Sequence, residues 1–200
     1  MIGYLRGKVL EVSGNQVLLD VNGVGYLVGV PSSLASRLQK QSEEAAPGVE
    51  HADTELRTYT QVGENVLALF GFESREQMEF FQMLLTVDGV GPKIALAILG
   101  AGELDEIKGA VAGGNPDFFK KVKGAGPKTL QKVIVELSGK LKEEGVKPIR
   151  SGPEAAVEQG LLGLGFKPDQ VKRGLEAVDW ASKPTTQVAM QVALAALRSR

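Results

Sequence analysis

The sequence predicts a multi-domain α+β chain in which a small five-stranded β-barrel is followed only by helices. Three observations carry that prediction. Over residues 1–73, apolar and polar positions alternate in short runs separated by Gly, Asn and Ser, the period-2 pattern of half-buried strands. From residue 74 onward the apolar spacing becomes helical. One seven-residue stretch also occurs twice between helical runs, as VDGVGPK at 87–93 and VKGAGPK at 122–128.

In the first region, residues 2–12 read as a strand, Ser13-Gly14-Asn15 as a turn and 16–21 as a second strand. Asn22-Gly23 is a strong two-residue hairpin signal, which makes 24–30 the third. Pro31-Ser32-Ser33 opens a short helix reaching about Lys40. Residues 41–53 are polar, contain Pro47-Gly48 and read as an exposed loop. Strands resume at 55–62 and 66–72, separated by Gly63-Glu64-Asn65. Five strands and one helix in residues 1–73 fit a barrel of the OB type, a scaffold common among nucleic-acid binders. The fold alone does not give a function.

Residues 74–141 read as an all-α unit, with Ser74 at an N-cap and Gln77 at the capping-box position. The repeated stretches lie inside it, after apolar runs at 80–85 and 118–122 and before those at 94–99 and 130–137. Each therefore reads as helix, tight turn, helix. The glycines let the backbone take positive φ and admit another backbone closely. Pro92 and Pro127 suit the first helical turn, where a missing N–H costs nothing. Free amides at a helix start, the helix dipole and Lys93 or Lys128 then make an anion site. This is the form of the helix-hairpin-helix motif, which grips a nucleic-acid phosphate without reading bases.

The candidate DNA contacts are Gly89, Val90, Gly91, Pro92 and Lys93, then Lys123, Gly124, Ala125, Gly126, Lys128 and Thr129. One such turn alone would favour a plain αα-hairpin; two with matching Pro-Lys reverse that in favour of phosphate binding. A helical solenoid needs about three repeats, and two are present.

Residues 142–152 are charged, contain Gly and Pro, lack apolar periodicity and read as a flexible linker. Residues 153–200 read as three short helices, opened near Pro153, Pro168 and Pro184. A unit this small buries only a small core and suits protein docking better than catalysis.

The net charge of −1 argues against a uniformly basic polyanion binder. Residues 1–73 hold five basic against nine acidic side chains, whereas 74–141 hold nine against eight. Around the second stretch Lys120, Lys121, Lys123, Lys128 and Lys132 gather with no acid among them. No run approaches the length of a membrane span, the N-terminus reads as a strand and not a signal peptide, and cysteine is absent. A cytoplasmic location is the expectation.

No cofactor, metal or catalytic site is expected. There is no GxxxxGK[ST] loop, and the glycine turns lack the third glycine of a dinucleotide fingerprint. His51 stands alone in the polar loop, and Glu43-Glu44, Asp105-Glu106 and Glu143-Glu144 lack neighbours that would suggest a two-metal nuclease.

The ordered set MIGYLRG, NGVGYLV, LFGFESREQMEFFQMLL, GVGPKIALAIL and LGFKPDQV resembles the RuvA family, over nearly the whole chain. Its members are the Holliday-junction-binding subunits of the bacterial RuvAB branch-migration complex. The resemblance implies a non-enzymatic homotetramer that holds four-way junction DNA open and planar, with the hairpins on the minor-groove backbones of the arms. One tetramer or two are both compatible with it. It implies a hexameric AAA+ ATPase, RuvB, as partner, admits a junction resolvase as another, and assigns the last three helices (a UBA-like unit) to binding the motor. Leu161, Leu164 and Phe166 are the candidate motor contacts.

The family's barrel carries two acids in a central turn, which repel phosphates at the crossover. The matching positions here are Glu64 and Asn65, so half of that acidic pin is missing. Two other classes compete: a helix-hairpin-helix docking subunit of a repair nuclease, and a protein-interaction scaffold whose main surface is the C-terminal bundle.

Overall fold

The computed structural model describes residues 1–44, 53–64, 66–149, 152–182 and 184–198. His51, Asn65 and most of the expected 41–53 loop lie outside them.

Five strands, β1 (Tyr4–Ser13), β2 (Gln16–Val21), β3 (Val24–Gly29), β4 (Thr54–Gly63) and β5 (Val66–Phe72), close in the order β1-β2-β3-β5-β4. β3 and β5 run parallel and the other neighbours antiparallel. Asn22 (φ 53°) and Gly23 (φ 84°) form the β2–β3 turn, and the Gly23 amide donates to Asp20 Oδ1 at 2.7 Å. Two positive φ values in succession are what a twist-matched two-residue hairpin requires. Alternate residues point inward: Leu5, Val17, Leu19, Val28 and Leu56 are buried. Helix α1 (Ser32–Glu44) closes that core with Leu34, Ala35 and Leu38. α1 runs past the expected Lys40, where Gln39 donates to Glu43 at 2.9 Å, a pair one turn apart.

The helical region begins with α2 (Arg75–Leu85), whose N-cap Ser74 accepts from the Gln77 amide at 3.1 Å. Gln77 Oε1 returns to the amide of Glu73 at 3.1 Å, one residue ahead of a standard capping box. α2 docks on the barrel through Phe81, whose ring lies 4.8 Å from Phe72, 5.3 Å from Phe70 and 5.7 Å from Tyr59, centre to centre. Phe72, at the end of β5, thereby belongs to the helical core. Barrel and helices hold each other in place.

α3 (Pro92–Leu99), α4 (Leu104–Ala112) and α5 (Pro127–Glu143) complete that core with Leu96, Ile98, Leu99, Ile107, Val111, Leu130, Val133 and Leu137. The run before the second repeat differs from expectation. It is a single 3-10 turn, Pro116–Phe119, and not an α-helix. Asn115 caps it, its Oδ1 accepting from the Phe118 amide at 3.2 Å, and Gly114 at φ 68° has already ended α4.

The segment expected as a tether from 142 is held against the helical region as far as residue 149. α5 continues to Glu143, Leu141 is buried and Val146 packs on the helical core. The third unit, α6 (Gly152–Gly163), α7 (Pro168–Glu176) and α8 (Thr186–Arg198), has its own core of Val157, Leu161, Val171, Leu175, Val178, Ala189 and Ala193.

Candidate nucleic-acid interface

Val87 and Val90, both buried, anchor the first repeated turn, and the Val90 amide donates back to the Val87 carbonyl at 3.0 Å. That bond closes a turn with Asp88 and Gly89 at its tip, Gly89 taking φ 82°. Gly91 is the N-cap of α3 with extended backbone, and Pro92 follows at N1. The first amide inside α3 with a partner is Ile94, bonded to the Gly91 carbonyl at 3.0 Å. The amides of Gly89, Gly91 and Lys93 have no hydrogen-bond partner among the described residues. They are the orphan donors that every helix start leaves.

The second turn repeats the design with one difference. Gly124 takes φ 87°, Gly126 is the N-cap and Pro127 opens α5. The Val122 amide is bonded to Phe119 at 3.0 Å, and the Leu130 amide to Gly126 at 3.1 Å. Between them the amides of Lys123, Gly124, Ala125, Gly126, Lys128 and Thr129 are unpartnered among the described residues. Ala125 therefore keeps a free donor where Val90 has used its own. Neither N-cap glycine has a side chain to satisfy these groups, and a Cβ added at Gly89, Gly91, Gly124 or Gly126 would meet nothing within 4 Å. Packing does not explain these glycines. Positive φ explains Gly89 and Gly124; open space for an incoming anion fits Gly91 and Gly126.

The lysine cluster is less free than its sequence suggests. Lys120 pairs with Asp117 at 3.0 Å, one 3-10 turn back. Lys132 reaches across 44 residues of sequence to Asp88, in the first turn, at 2.6 Å. Lys93, Lys121, Lys123 and Lys128 are exposed and make no ion pair among the described residues. The Asp88 carboxyl is held below the usual carboxylate range by its hydrogen bond from Lys132 and by that residue's charge. Lys132 is raised by the same contact, with Glu136 adding to it. Sequence reasoning passed over this pair, because an acid inside an anion-binding turn carries no signal until its partner is located.

The five-stranded barrel, the two hairpin turns and their flanking helices thus match, in order, what family models describe. Residues 1–71 match the RuvA N terminal domain, and residues 81–138 match a SAM-like helix-hairpin-helix tandem. The Holliday junction branch migration complex subunit RuvA of Geobacter metallireducens is 33% identical over 203 residues, covering 97% of this chain and 98% of that one. The protein of the same name from Bdellovibrio bacteriovorus is 38% identical over 171 residues, covering 84% of this chain and 83% of its own. That from Pseudomonas aeruginosa is 34% identical over 191 residues, with 89% and 90% covered. The chain belongs to the RuvA family.

Two further regions that the resemblance marked can now be located in the RuvA architecture. Glu64 is exposed in the two-residue turn between β4 and β5, where Gly63 pairs with Val66. Asn65 falls outside the described residues. In the third unit the three expected motor contacts separate: Leu161 is fully buried in the bundle core, Phe166 is half-buried against it and Leu164 is 63% exposed. Leu161 is core, since its side chain reaches no surface. Leu164 sits beside Gly165 (φ 87°) in the α6–α7 turn, and Leu162 is exposed next to it.

No helix is long and apolar enough to cross a membrane, among the described residues. No group of three or more His, Asp or Glu side chains that could hold a metal ion occurs among them.

Proposed function

We propose that this chain is the junction-binding subunit of a branch-migration complex: it binds four-way junction DNA through the phosphates of the arms and recruits a ring ATPase. The observation that carries the reading is the pair of turns with unpartnered amides, at Gly89, Gly91 and Lys93 and at Lys123 to Gly126, Lys128 and Thr129. Amide and lysine contacts to phosphate fix position and carry no sequence information. That property suits a protein through which DNA must slide. Val90 contributes by anchoring its turn and not as a donor. Pro92 sets the start of α3.

Junction preference follows from symmetry. In a homotetramer, four hairpin pairs meet four arms at once, whereas linear duplex engages only some of them. Glu64 from each subunit then faces the crossover and repels phosphate there, with one carboxylate per subunit where the family has two. Leu164, with the half-buried Phe166, is the proposed contact for the RuvB-type hexameric AAA+ motor. A junction resolvase is a further partner that the open, planar DNA would admit. The chain itself is non-catalytic in this reading, acts in the cytoplasm, and leaves ATP hydrolysis to the motor.

The deciding experiment is a gel-shift titration at fixed salt, comparing a synthetic four-way junction with duplex of the same arm sequence. Strong, sequence-independent preference for the junction supports the reading. Equal affinity, or metal-dependent cleavage of the junction by the purified chain, would favour the nuclease-docking alternative.

A further inference from the structure

We propose that Lys132 is the counter-ion of Asp88, neutralising the acid inside the first hairpin turn so that the turn accepts phosphate, and is not itself a phosphate ligand. This deepens the junction-binding reading above and rests on it.

Asp88 immediately precedes Gly89, and its side chain is 87% exposed. Its one hydrogen bond among the described residues is accepted from Lys132 Nζ, at 2.6 Å. Left alone, that carboxylate would stand one to three residues from the free amides of Gly89 and Gly91. This is well inside the ~8–10 Å over which physiological salt leaves charges interacting. It would oppose any phosphate drawn there by the helix dipole and Lys93.

Lys132, for its part, is poorly placed to meet a phosphate on its own hairpin. It lies five residues into α5 from Pro127, a rise of about 7.5 Å, while the free amides sit at or before Thr129. Its ammonium is turned toward the other hairpin. The second turn, which has Lys123 where the first has Asp88, needs no such correction.

Stability does not account for the pair. Exposed ion pairs of this kind contribute little to folding, and both turns are already fixed by Val87, Val90, Leu130 and Val133 in the common core. What the contact changes is the charge presented at the first turn.

The test is a junction-binding titration across a range of salt, on the full chain, with Lys132→Met, Asp88→Asn and the double variant. Lys93→Gln and Lys128→Gln serve as controls, and thermal melts of every variant verify the fold. Lys132→Met should weaken binding roughly fivefold, with the deficit closing as salt rises. Asp88→Asn should bind as well as the parent or better. The double variant should return to within about twofold of the parent, a coupling that only neighbouring groups give.

Equal weakening by Lys132→Met with and without Asp88→Asn would overturn the proposal and make Lys132 a direct phosphate contact. So would unchanged binding in Lys132→Met. If Lys93→Gln and Lys128→Gln also leave affinity untouched, the phosphate-clamp reading itself fails; if they weaken binding, only the counter-ion assignment does.

Discussion

The amide of Ile149 donates to the carbonyl of Gly109 at 2.7 Å, so the chain that leaves α5 doubles back onto α4 before it reaches the third unit. Gly109 and Gly113, one turn apart on α4, make room for it: a Cβ on Gly109 would lie 2.8 Å from the Ile149 side chain, and one on Gly113 would lie 2.3 Å from the Ile149 carbonyl oxygen. The linker is thus strapped to the hairpin region up to residue 149.

Gly113→Ala should release that strap. Its φ of −81° suits alanine, so the collision with backbone is the whole effect. Amide exchange at Ile149 should rise, and stability should fall by about 1 kcal/mol. Junction affinity should stay within about twofold, because no hairpin group is touched. Unchanged exchange at Ile149 would show the strap to be already open.

The hairpin glycines divide into two kinds. Gly89→Ala and Gly124→Ala each force a side chain into the left-handed region, at a cost of about 1 kcal/mol and with no clash. Gly91→Ala and Gly126→Ala meet neither strain nor contact in the free protein. All four should nonetheless lower junction affinity about tenfold or more, the last two with Tm nearly unchanged. Full affinity in Gly91→Ala and Gly126→Ala would mean that no ligand backbone approaches the helix starts.

Glu64→Gln should tighten junction binding by roughly two- to fivefold at low salt and by nothing at high salt, the signature of an exposed charge near phosphate. Asn65→Asp should act in the opposite direction. Arm-to-arm fluorescence transfer on a labelled junction would report whether the crossover opens less in the first and more in the second.

A chain ending at Ile149 should bind junctions as the full chain does and fail to stimulate the motor ATPase. The two cores share no residue, so removing the third unit exposes little of the first. Leu164→Ala in the full chain should reproduce the loss of stimulation with an intact bundle, while Leu161→Ala should cost about 2–5 kcal/mol of bundle stability.

The pH dependence of the Asp88–Lys132 contact follows from its shifts. Asp88 is lowered, so its contribution is complete above the unfolded carboxylate value near 4 and disappears as pH falls through the lower folded value. Lys132 is raised, so its contribution is present below about 10.4 and lost as pH rises through its folded value. Between those limits the contact is constant. An NMR titration of the Asp88 carboxyl should give a midpoint below the ordinary range, returning upward in Lys132→Met.

Much of this protein was legible in one dimension because the signals are local. Strand alternation, the Asn22-Gly23 turn, the Ser74 cap and the twin GxGPK turns each depend on residues within about seven positions of one another. They predicted β2 and β5 to the residue and both hairpin turns. Family resemblance then gave the function that those turns alone left open between binding and docking.

What only the tertiary structure decided are pairings between residues distant in sequence. Periodicity marks Leu161 as apolar, but whether an apolar residue is core or contact depends on what packs over it; three helices bury Leu161 and leave Leu164 in water. Phe81 reads as one face of α2, and the barrel supplies the three rings around it. The lysine run looked uniformly free because Asp88, 44 residues before Lys132, is brought beside it only when the two hairpins share a core. Local preference fixes a turn at short range, whereas charge pairing and burial are decided by contacts that the chain makes only once it is folded.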